Sequence, residues 1–102
     1  MNTKQQKQTM DAMVLKRHAE NKIEELNFKI QQMKSRNVDQ EVREQYEEAL
    51  SEMKEIRDKV LEKFNEYDHS EDIDKWDTFD KQIYTDMESF DEAYTQAGGF
   101  LR

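Results

Sequence analysis

EDIDKWDTFDKQIYTDMESFDEAY, residues 71–94, alternates acids with large aromatic and aliphatic side chains. The stretch admits two readings: carboxylates grouped around a tryptophan and tyrosines as a chemical site, or the two faces of one helix. Ile73, Trp76, Phe79, Ile83, Met87, Phe90, Tyr94 and Ala97 recur at helical spacings of three and four, with Tyr84 and Ala93 beside them. That period defines a helix with one apolar face. Asp74, Asp77, Lys81, Glu88, Asp91 and Glu92 fall mainly away from it. Aromatics bury much area per residue, so even a short helix of this kind anchors strongly. The acids at its start complement the positive end of a helix. Ser70 is the expected N-cap, with Asp68 and Glu71 as an alternative capping box in which Asp replaces Ser or Thr.

Working upstream, Val42, Tyr46, Ala49, Met53, Ile56, Val60, Phe64 and Tyr67 form a second helical stripe, widened by Leu50 and Leu61. A wide stripe contacts two neighbours. Ala19, Ile23, Leu26, Ile30 and Met33 form a third, with 4-3-4-3 heptad spacing. Between Met33 and Val42 the phase jumps to the opposite side of a straight helix. A turn is therefore expected near residues 36–39, with Asn37 or Asp39 as cap. The polar run YDHSEDI breaks the chain again after Tyr67.

The expected fold is all-α: an antiparallel three-helix bundle or coiled coil, with helices at 9–36, 39–67 and 71–97. The alternative is one long helix through 9–67 with the third packed back on it. Residues 1–8 are expected to fray, 9–97 to form a single helical domain, and 98–102 to form a C-terminal cap and tail. There, Gly98 or Gly99 would adopt the left-handed conformation, and Phe100 or Leu101 would fold back on the last turn.

Composition narrows function. The chain has 102 residues, 39% charged, with no Pro and no Cys. Thiolate catalysis, disulfides and Cys-based zinc sites are excluded. Its net charge is −8, and it is divided unevenly. Residues 1–36 carry +4, residues 37–67 −5 and residues 68–102 −7. An acidic chain is a poor nucleic-acid binder, so no nucleic-acid partner is expected. The basic first segment is expected to face the two acidic ones of its own fold. No apolar run reaches membrane-span length and no secretory leader is evident, so a soluble, cytoplasmic protein is the expectation.

Catalytic and metal constellations are incomplete. Glu66 and His69 form one E-x-x-H step, where a di-iron bundle needs two. The other histidine, His18, lacks that partner pattern. DHSEDIDKWDTF sets Asp68, Ser70, Asp72 and Asp74 at calcium-loop positions. However, Ile73 stands where that loop needs glycine and Phe79 where it needs glutamate. Helix-end chemistry is the favoured reading of the acids at 66–74. No G-x-S-x-G or Gly-rich phosphate loop is present. No catalytic, metal or cofactor-binding residue is assigned, and no cofactor is expected.

The order KIEELNFKIQQM, YEEALSEMKEIRDKVLEKF, then a Ser-initiated WDTFDKQIYTDMESFDEAY resembles a family of small bacterial coiled-coil stress-response proteins. The resemblance covers roughly residues 20–95 and rests on Tyr46, Leu50, Met53, Arg57, Leu61, Ser70, Trp76, Phe90 and Ala93. The chain departs from the family in being poor in alanine and in a shorter first linker. The resemblance implies a bacterial source, a helical fold and a link to stress or envelope homeostasis, with no catalytic residues to carry over. The expected function is a non-enzymatic helical interaction protein acting by protein binding or self-association. The alternative is reversible binding to a membrane surface by an amphipathic helix.

Overall fold

The computed structural model describes the backbone of residues 3–101 and the side chains of residues 12–101. It is an all-α bundle of three helices, α1 (Thr3–Lys34), α2 (Arg43–Tyr67) and α3 (Ile73–Gly99). The molecule is a rod of 64 × 18 × 16 Å.

Pairings between helices give the topology. Asn27 meets Arg57 and Met33 meets Tyr46, so α1 and α2 run antiparallel. Phe64 meets Trp76 and Lys59 meets Asp86, so α2 and α3 are antiparallel too. Lys22–Asp80, Lys29–Asp91 and Gln32–Tyr94 ascend together, so α1 and α3 are parallel. The single-long-helix alternative is overturned, because residues 35–42 leave the helix and reverse the chain.

The apolar stripes meet along the axis. Ala19, Ile23, Leu26, Ile30 and Met33 of α1 are all buried. So are Tyr46, Ala49, Leu50, Met53 and Val60 of α2, and Trp76, Phe79, Ile83, Phe90, Ala93 and Ala97 of α3. Two flanking expectations fail: Leu61 and Tyr84 stand exposed, at 36% and 60%. In a rod this narrow, a stripe wider than about two residues per turn turns its edge to water.

The helix ends differ from expectation. α1 begins at Thr3, ahead of the boundary expected at residue 9; Met1 and Asn2 lie outside the described residues. Lys, Gln and Thr there carry no helix-breaking chemistry. Neither Asn37 nor Asp39 caps α2. Residues 39–43 instead form overlapping turns (Val42 N to Asp39 O, Arg43 N to Gln40 O), and α2 begins after Val42 with no side-chain cap. Tyr46 compensates on the other side of the link: its buried hydroxyl donates to the Met33 carbonyl near the end of α1. At α3 the N-cap is Asp72, not Ser70, and the Asp68–Glu71 capping box does not form. Asp72 Oδ1 accepts from Asp74 N at 3.0 Å, while Ser70 Oγ accepts from Asp72 N at 3.2 Å. A side chain two residues ahead thus orders the residue that caps.

The left-handed glycine cap is also corrected. No residue described has positive φ, and α3 runs through both glycines to Gly99. Phe100 N closes the last turn on Ala97 O at 3.1 Å. Phe100 and Leu101 do fold back, half-buried against the core; Arg102 lies outside the described residues.

Candidate functional site

The residues singled out in the sequence converge on the end of the rod where α2 turns into α3. Trp76 is its floor, 1% exposed, its Nε1 donating to Ser70 O at 2.8 Å. Phe64 and Tyr67 meet the indole edge-on, and Phe79 stacks on it with centroids 5.9 Å apart. Lys16 of α1 closes the cluster. Its ammonium pairs with Asp68 Oδ1 at 2.7 Å, donates to Asp68 O at 3.1 Å and lies 6.0 Å from the Phe64 centroid. The Lys16 hydrogen bond holds the Asp68 carboxyl below the usual carboxylate range. A small cleft remains between Lys16, Asp68, His69, Glu71 and Trp76.

The acids here have structural partners. Asp68 serves Lys16, Asp72 caps α3, and Glu66 lies 3.9 Å from Lys63. Among the described residues, no group of three His, Asp or Glu side chains is arranged to hold a metal ion. His18 is elsewhere, in a shallow groove on the outer side of α1 with Met13, Val14, Arg17 and Asn21.

A lysine seam joins α1 to α3, as the charge division of the sequence led one to expect. Lys22 Nζ stands 3.6 Å from Asp80 Oδ1 and 3.6 Å from the Tyr84 centroid. Both of those polar atoms are shut from water and neither has a hydrogen bond, so Tyr84 acts as an aromatic lid over the ion pair. Lys29 lies 3.4 Å from Asp91 and 3.5 Å from Glu25, with Tyr94 5.1 Å away. Burial alone would lower the Lys29 pKa, but the charges of Asp91 and Glu25 override it and hold it above its ordinary value. Along single helices, Glu25 pairs with Lys29 and Asp77 with Lys81, the latter at 3.2 Å. Lys59 reaches across to Asp86 of α3, 3.8 Å away, a buried carboxylate at the edge of the core.

Sequence reasoning missed this seam residue by residue. Its signal was present: Lys22 and Lys29 are one heptad apart and flank the buried stripe, where interhelical charges belong. Asp86 left a weaker trace, as an acid beside Met87 on the edge of the aromatic face.

The remaining surface is less balanced. Between α2 and α3, at the end away from Trp76, lies a groove formed by Gln45, Glu48, Ala49, Glu52, Gln96 and Phe100. Glu88, Asp91 and Glu92 continue the acidic surface along α3. Glu48, Glu52, Glu88 and Glu92 form no ion pair among the described residues. Among the described residues, no helix is long and apolar enough to cross a membrane.

The chain matches no protein-family model, and no curated protein or solved structure is significantly similar to it.

Proposed function

We propose that this protein is a non-enzymatic helical interaction protein, acting by protein binding or self-association in the cytoplasm, in a stress-related role of the kind the family resemblance implies. The observation that carries the reading is how the fold spends its charges. The cationic side chains of α1 that face its partners are consumed in ion pairs with Asp68, Asp80 and Asp91, which fix the bundle. The carboxylates left over line an open surface groove. Open, charged helix faces of this type suit recognition of another protein.

The same geometry disfavours the membrane-surface alternative. Laying α1 flat on anionic lipid would bring a chain of net charge −8 against a surface of the same sign.

The test is genetic and chemical. Deletion in the native cell should lower survival under stress, and a Glu66→Gln/His69→Gln chain should restore it. A requirement for Glu66 and His69 in that complementation, or substrate turnover abolished by those changes, would overturn the reading.

A further inference from the structure

The rod has unlike ends. The 68–72 link packs beside Ala12, Met13 and Lys16, so the turns of α1 from Thr3 to Asp11 run on past that end of the bundle. Nine residues make about 14 Å of helix. The sequence of these turns holds two lysines, Lys4 and Lys7, and a single acid, Asp11. Where the turns enter the bundle, the outer face of α1 exposes Met13 (63%) and Val14 (53%). Arg17 stands next to them and forms no ion pair among the described residues. This is a basic helix end with an apolar patch that the chain itself leaves uncovered.

The opposite end carries the complement. The groove between α2 and α3 has Glu48 and Glu52 on its wall and Ala49 and half-buried Phe100 as apolar lining. The stretch from Gln45 to Glu52 covers about 12 Å of helix, a length comparable to the projecting turns.

We infer that the projecting N-terminal end of α1 docks into the acidic α2–α3 groove at the far end of a second copy of this chain. This deepens the interaction reading above and rests on it. Cation meets carboxylate, and Met13 and Val14 meet Ala49 and Phe100. The two surfaces are different patches on one molecule, so the contact is heterologous. It leaves a free helix end on one copy and a free groove on the other, and the assembly grows as an open, staggered row. The charge component makes it salt-sensitive.

Sedimentation velocity of the full chain tests this, from micromolar to submillimolar concentration at low and high salt. Wild type should form species that lengthen with concentration and shorten with salt. Lys7→Glu/Arg17→Glu and Glu48→Lys/Glu52→Lys should each remain monomeric, with unchanged helical circular dichroism. Their equimolar mixture should lengthen again as alternating copies, since every end then meets a groove of opposite charge on the other variant. A chain carrying all four changes should associate again. Val14→Asp, at an exposed position, should block association without charge reversal. A monomeric wild type, association indifferent to these changes, a mixture that does not lengthen, or binding to anionic vesicles without self-association would overturn the contact. The interaction reading would survive any of these, because it falls only on the complementation result.

Discussion

The indole Nε1 of Trp76 donates to the carbonyl oxygen of Ser70, 2.8 Å away and six residues upstream. One side chain thereby fills the end of the core and fixes the link that enters its own helix. Buried indoles are costly unless their N–H finds an acceptor, and here the acceptor lies in the turn that the core must hold.

Trp76→Ala should therefore destabilise the protein by about 3–5 kcal/mol. Urea denaturation followed by circular dichroism checks it. A change below ~0.5 kcal/mol would mean that the indole is not part of the core.

Gly98→Ala should stabilise the protein by about 0.4–1 kcal/mol. Gly98 has helical φ, and a Cβ there would meet nothing within 4 Å. Had the glycine been a left-handed cap, as the sequence suggested, alanine would be strained and the sign would reverse. Thermal denaturation decides between the two.

Lys22 and Asp80 form a half-sheltered pair lacking a direct hydrogen bond. Removing one charge, as in Asp80→Leu, should cost about 1–3 kcal/mol, between exposed and buried ion pairs. The double change Lys22→Met/Asp80→Leu should recover most of that, since two desolvated charges are replaced by apolar volume. A double-mutant cycle by chemical denaturation measures the coupling; additive losses would show that the pair does not interact.

Asp68 sets an acid-dependent contribution. Its carboxyl is depressed by the Lys16 hydrogen bond. Its stabilising contribution is therefore complete above the usual carboxylate pKa of about 4. It is lost as pH falls through the lower, folded-state value. Asp68→Asn should flatten that part of the melting temperature profile below about pH 4 while leaving the neutral-to-alkaline limb alone. An unchanged acid limb would exclude the Lys16–Asp68 pair as its source.

Much of the core was legible because burial imposes a period. The heptad Ala19 to Met33 and the aromatic run Trp76, Phe79, Ile83, Phe90 appear inside in the order the spacing predicts. Chain ends and links were less legible because several local solutions compete there at similar cost. Ser70 and Asp72 are both good caps, and only their mutual geometry selects Asp72. Likewise, Tyr46 helps seal the end of α1 from across the link, a contact between residues thirteen apart that no local pattern announces. At the functional surface, the acidic excess was visible in composition, whereas the pairing of Lys22 and Lys29 with Asp80 and Asp91 needed the parallel register of α1 and α3.

That parallel register governs how the rod bears force. The first turn of α1 and the last turn of α3 point to opposite ends of the molecule. Tension applied between them loads the α1–α3 seam lengthwise. Lys22–Asp80 and Lys29–Asp91 must then yield together in shear, instead of peeling apart one after another as in a hairpin pulled from its open end.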